Sequence, residues 1–109
     1  MKNNLPKFLL AENPMLTGDH DGRLFIIHLQ NPFLVAELHH REDMSNDEYT
    51  EAVSRGFGAI LNHGPEIIIF VPVWIAGLPN DPALAGLMRR MADWYKAYLI
   101  WEYNQEPDI

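Results

Sequence analysis

The sequence contains no cysteine and only two serines, Ser45 and Ser54. The missing cysteines exclude disulfide frameworks, thiolate metal sites and cysteine nucleophiles. Neither serine lies in a Gly-x-Ser-x-Gly elbow, and the P-loop, dinucleotide, zincin and calcium-loop motifs are absent from the sequence as well. The sequence therefore gives little support to nucleophilic catalysis or to a nucleotide cofactor, and we expect no cofactor.

Positive charge is also scarce, with 8 Lys and Arg against 15 Asp and Glu and a net charge of -7. Nucleic-acid binding draws most of its affinity from clustered basic side chains. The only adjacent basic pair is Arg89-Arg90, and the other basic residues are scattered. We therefore expect no nucleic-acid partner, and the dispersed carboxylates are typical of a solubilising surface.

No hydrophobic run is long enough to span a bilayer, which takes about 20 residues. The longest run, residues 67–78, is interrupted by Pro72 and Gly77. The apolar stretch near the N-terminus is too short for the core of a signal peptide. These features predict a soluble, cytoplasmic protein with no membrane partner.

The length and composition predict a single domain over residues 1–109, with short flexible ends at about 1–5 and 104–109. Three strand patterns, a helix, a fourth strand and a second helix follow one another. We expect an α+β fold, in which a mostly antiparallel four-stranded sheet carries both helices, in the order β-β-β-α-β-α.

Alternating or continuous apolar residues predict strands over residues 7–11, 23–29, 33–39 and 66–71. The second and third strands are separated by a short connection and should form an antiparallel hairpin. In the third strand, Glu37 should share one face with Phe33 and Val35. At Pro72 the fourth strand should end or reach an edge, and residues 73–80 should form an apolar loop that contains Trp74.

The first helix has the clearest start signal, since Ser45 and Glu48 have the spacing of a capping box. Its apolar stripe continues to Ile60 and Leu61, and Gly64-Pro65 should end it, which places His63 in its last turn. Gly56, inside the stripe, predicts a close approach of the helix backbone to the sheet or to the second helix.

The second helix should begin with Asp81 as N-cap and Pro82 at its first position and end near residues 101–103. Its apolar residues fill an arc of about 160°, wider than the stripe of about 100° that faces a core. They are Leu84, Leu87, Met88, Met91, Trp94, Tyr95, Tyr98, Leu99 and Trp101.

The Leu and Met positions of this helix should belong to the core. The apolar surface that the core does not cover should then lie at the edge formed by Trp94, Tyr98 and Trp101. Trp and Tyr are the residues enriched at interface hot spots. With Tyr103, these residues form the predicted partner-binding surface, for a second copy in a homodimer or for another protein.

Histidine offers the alternative chemistry, because His28 and His39 lie on neighbouring predicted strands with Glu37 nearby. These three could act as acid and base, or hold a metal. The spacing matches no known ligand signature, so we expect no metal. Asp19-His20-Asp21, flanked by glycines, is typical of a polar loop tip.

Two functions follow from these patterns. The favoured one is a non-enzymatic protein-interaction module that acts through its aromatic C-terminal helix. The alternative is a small metal-dependent or acid/base hydrolase that uses His28, His39 and Glu37.

Overall fold

The computed structural model describes residues 7–12, 24–77 and 80–105. This part of the chain forms five strands and two α-helices in the order β-β-β-α-β-β-α, with a short 3-10 turn at Arg41–Asp43. The elements are β1 (Phe8–Glu12), β2 (Leu24–His28), β3 (Phe33–His40), α1 (Asn46–Arg55), β4 (Ile60–His63), β5 (Glu66–Ala76) and α2 (Asp81–Gln105). The predicted α+β class with an antiparallel sheet and two helices is confirmed, with five strands rather than four.

All strand pairs are antiparallel, and the strand order across the sheet is β1-β2-β3-β5-β4. The predicted hairpin of β2 and β3 is present, and its connection contains a cis peptide bond between Asn31 and Pro32. β3 and β5 form the centre of the sheet. α1 connects β3 to β4, and these two strands are parallel to each other because both are antiparallel to β5, which lies between them.

The two helices cover opposite faces of the sheet. α2 packs on the face that carries Ile26, Leu34 and Phe70, and together they form the main core. α1 packs on the other face, over Ile69 and Val71. β3 lies between the layers, with Leu34, Ala36 and Leu38 facing α2, as the alternation in the sequence predicts.

The predicted end of the first helix is wrong. α1 stops at Arg55, where Phe57 and Gly58 take positive φ angles of 56° and 75°. Ile60 and Leu61 belong to β4, and Gly64 occupies the β4–β5 hairpin turn with a φ of 60°. A short apolar run fits the periodicity of a strand as well as that of a helix. The helix itself cannot continue through the left-handed backbone at residues 57–58.

Gly56 is the point of closest approach between α1 and the sheet. A Cβ atom built on Gly56 would overlap the carbonyl oxygen of Phe70 in β5. The predicted close approach is confirmed, and it explains why a glycine stands in an otherwise apolar stripe.

Of the two outcomes predicted for Pro72, the strand does not end there but has one side at an edge, since the described pairing of β5 with β4 covers residues 66–69. β5 continues to Ala76, so Trp74 lies in a strand rather than in a loop. The β3–β5 register shifts between Val35, opposite Trp74, and Ala36, opposite Pro72. This β-bulge accommodates a residue that has no N–H to donate to the ladder.

The start of α2 also differs by one residue from the prediction. The side-chain oxygen of Asn80 accepts a hydrogen bond from the backbone N–H of Ala83 at 2.9 Å, so Asn80 is the N-cap in place of Asp81. Residues 104–105 belong to α2, and the other predicted flexible-end residues lie outside the described residues, as does Asp19-His20-Asp21. Within the described residues, no helix is both long and apolar enough to cross a membrane.

Candidate functional site

The burial of α2 decreases along its length. Its buried residues are Leu84, Leu87, Met88, Met91, Ala92 and Tyr95. Beyond Tyr95 no described residue of the helix is buried, and the last five, residues 101–105, are all exposed. The Leu and Met positions therefore belong to the core, as the sequence predicts, and the C-terminal end of the helix extends past the core.

The exposed end of α2 is apolar on more than one side. Trp101 is 58% exposed, Tyr103 76% and Ile100 49%. At 3.6 residues per turn, Ile100 and Tyr103 lie on the side of the helix away from Trp94. A helix that is apolar around most of its circumference is normally covered on several sides. A single sheet face cannot cover this end.

Three of the four predicted binding residues of α2 form a continuous row of aromatic rings. Trp94 packs against Phe8 of β1, with ring centroids 5.6 Å apart. Tyr98 stacks on Trp94 at 6.0 Å, and Trp101 follows Tyr98 at 6.2 Å. We call Trp94, Tyr98 and Trp101 the aromatic edge. Tyr103, the fourth predicted residue, lies on the other side of the helix. The aromatic edge is anchored in the core at Trp94 and becomes more exposed toward Trp101.

The pKa values of Tyr95 and Tyr98, two tyrosines of this region, are raised. A hydrogen bond from the Tyr98 hydroxyl to the Glu102 carboxylate, more than burial, raises the pKa of Tyr98 above 10.0. Burial, followed by the nearby acidic groups Tyr98, Glu102 and Glu66, raises the pKa of Tyr95.

The structure separates the three residues of the hydrolase alternative. Glu37 and His39 lie two residues apart on the α1 face, and Oε1 of Glu37 is 2.6 Å from Nε2 of His39. His28 lies on the α2 face, where its ring contacts Phe8 and its Nδ1 is 2.7 Å from the Pro32 carbonyl oxygen. Glu37 and His39 are therefore brought together, and His28 is not.

A cavity of about 800 Å³ lies beside His39, at the end of β3. Its lining includes His40, Arg55 and several carboxylates, among them Glu12, Glu48 and Glu51. Glu37 is only 3% exposed and does not line this cavity. Among the described residues, no group of three or more His, Asp or Glu side chains could hold a metal ion.

A second cavity, of about 320 Å³, lies beside the first half of α2 and includes His28 in its lining. Neither cavity was predictable as a unit, since each collects residues from separate elements. Among their lining residues, His28, His39 and His40 stood out by type, as histidines near strand ends.

The sheet carries a further exposed apolar group on its α1 face. Leu9 is 46% exposed, Phe33 46% and Trp74 55%. Leu9 and Trp74 share this face with Val35, which lies opposite Trp74. This group is the main rival to the aromatic edge as an interaction surface.

Comparisons with protein-family models, curated proteins and solved structures found no match to this chain.

Proposed function

We propose that this protein is a non-enzymatic protein-interaction module that docks through the aromatic edge and the exposed end of α2. The observation that supports the proposal most is the extension of α2 past the core with Trp101 and Tyr103 exposed. Exposed Trp and Tyr side chains are costly to leave in water and are enriched at interface hot spots.

A second copy of the chain is the proposed occupant of this surface. In a two-fold dimer the same patch is used by both partners, so a residue near the axis meets its own counterpart. Aromatic rings stack favourably on one another, and the row from Trp94 to Trp101 offers rings to a matching row. The net charge of -7 on each copy opposes association, so apolar burial has to drive it.

The test compares two tryptophans of matched exposure, Trp101 at 58% and Trp74 at 55%. In size-exclusion chromatography with light scattering, we expect the mass of the wild-type protein to rise from monomer to dimer with concentration. Trp101→Ala should weaken the dimer about 30-fold or more, the effect of losing a hot spot of about 2 kcal/mol. Trp74→Ala should leave the dissociation constant unchanged.

Two results contradict this proposal. The first is a wild-type protein that stays monomeric at every concentration. The second is a dimer that Trp74→Ala weakens and Trp101→Ala does not, which would place the interface on the α1 face of the sheet. Thermal unfolding of both variants provides the control, because each side chain is more than half exposed and its loss should leave the fold intact.

The hydrolase alternative is not proposed, because it requires His28, His39 and Glu37 in one pocket. His28 lies across the sheet from the other two residues, with its Nδ1 already bonded to the Pro32 carbonyl. Glu37 and His39 alone form a buried carboxylate–imidazole pair, an arrangement that orients a side chain in many structural settings.

A further inference from the structure

The cavity beside the first half of α2 has the opposite charge to the rest of the protein. It has a volume of about 320 Å³ and lies between the start of β1, the β2–β3 hairpin and α2. Its polar lining consists of Lys7, His28, Gln30, Asn31 and Arg90. The chain has 15 carboxylates and 8 Lys and Arg, yet two of the basic residues and no carboxylate of the described residues line this cavity.

His28 supplies a buried polar group to this cavity, since it is only 7% exposed. Its Nδ1 lies 2.7 Å from the Pro32 carbonyl oxygen, which can only accept, so Nδ1 carries a proton. Nε2 is then the ring nitrogen that can accept a hydrogen bond. The His28 side chain lines the cavity.

Arg90 and the apolar walls complete the site. A terminal guanidinium nitrogen of Arg90 lies 3.5 Å from the position of a Cβ atom on Gly86, so the side chain runs back along α2 toward the cavity. The planar fork of a guanidinium matches two oxygens of a carboxylate or phosphate. Phe8 and Leu87 provide apolar surface beside these polar groups.

We propose that this cavity binds a small organic oxyanion, a carboxylate or phosphate ester with a compact apolar body. The volume is at the lower end of the range of about 300–1,000 Å³ for ligand pockets. Arg90 and Lys7 pair with the anionic group, and Phe8 and Leu87 contact the apolar body. The site does not include the exposed end of α2, although Phe8 in its lining also contacts Trp94.

The test is an NMR titration of the isotope-labelled full chain with sodium benzoate, phenyl phosphate and neutral benzyl alcohol. We expect saturable shifts at Phe8, His28 and Leu87 with at least one of the anions. Benzyl alcohol should bind at least tenfold more weakly than that anion, because it lacks the charge that Arg90 and Lys7 pair with. Comparing benzoate with phenyl phosphate identifies which oxyanion the site prefers.

Neighbouring arginines give a matched pair of variants. Arg90→Gln should weaken anion binding about tenfold or more, the scale of a charge-assisted hydrogen bond. Arg89→Gln removes the same charge from a residue that does not line the cavity and should change binding by less than about twofold.

Three results would overturn the site. One is the absence of saturable shifts with either anion up to about 10 mM, ten times the dissociation constant of a weak millimolar site. Another is equal weakening by Arg89→Gln and Arg90→Gln, which would indicate diffuse charge attraction. The third is binding of benzyl alcohol as tight as that of the anions. None of these results bears on dimerisation through Trp101.

Discussion

At the scale of single residues, Gly56 is fixed by its contact with β5. The carbonyl oxygen of Phe70 occupies the space that a Cβ atom would need, and this oxygen is part of the backbone and cannot rotate away. Gly86, in the interior of α2, meets only the flexible end of Arg90. The two glycines therefore have different physical roles.

Substituting these two glycines by alanine should change stability in opposite directions. Gly56→Ala should destabilise the fold by about 3 kcal/mol, because α1 must move away from β5. Gly86→Ala should stabilise it by about 0.5–1 kcal/mol, because alanine has the higher helix propensity. Urea unfolding measures both, and a neutral Gly56→Ala variant would contradict the close approach.

The buried phenol of Tyr95 makes the free energy of unfolding depend on pH in the alkaline range. Its burial raises the pKa of the phenol above 10.0, so the folded state keeps the proton that the unfolded state releases. The stabilisation from this group is present in full below pH 10 and is lost as the pH rises through the folded-state pKa. The free energy of unfolding should therefore fall above about pH 10.

In Tyr95→Phe, the free energy of unfolding should fall less steeply with rising pH than in the wild type. The measurement is a set of urea unfolding curves between about pH 8 and pH 11. Tyr103→Phe, at a side chain that is 76% exposed, is the control and should keep the wild-type slope. If the free energy of unfolding falls equally steeply with pH in the wild type and in Tyr95→Phe, the Tyr95 phenol is not the cause of the fall.

At the scale of secondary-structure elements, the start of α1 was predictable and its end was not. The Ser45 hydroxyl accepts from the Glu48 backbone N–H at 3.2 Å, and the Glu48 carboxylate accepts from the Ser45 N–H at 3.0 Å. This signal is local and depends on four adjacent residues. The end depends on the left-handed turn at Phe57 and Gly58, where a non-glycine residue takes a positive φ.

Ser45→Ala should destabilise the protein by about 1 kcal/mol, because the Glu48 backbone N–H loses its acceptor. The only other serine, Ser54, is exposed within α1 and provides the control. Ser54→Ala should be neutral or slightly stabilising, since alanine favours helix. Thermal unfolding would contradict the capping role if both variants behaved alike.

The extent of β5 is a second feature that local sequence patterns did not predict. Proline normally ends a strand, and the sequence offers no sign of the register shift opposite Val35 and Ala36 that accommodates Pro72. The bulge depends on the partner strand, so it becomes visible only when β3 and β5 are paired. The same pairing places Trp74 in the sheet and makes it a rival surface residue.

At the scale of the whole molecule, the α+β class and the division of α2 into core and surplus residues followed from periodicity. Alternation also placed Glu37 and His39 on one face of β3, because they are two residues apart. The relation of His28 to them depended on the register between β2 and β3, which periodicity does not supply. The cavities depend on how several elements meet, and no local pattern describes that.

The proposed association of two copies through the exposed end of α2 can be followed separately at each of the three tryptophans. Fluorotryptophan incorporated into the wild-type protein gives one ¹⁹F resonance each for Trp74, Trp94 and Trp101. Over a dilution series from millimolar to micromolar protein, we expect the Trp101 resonance to shift most and the Trp74 resonance to stay constant. A constant Trp101 resonance, or a shift confined to Trp74, would contradict a dimer formed through the exposed end of α2.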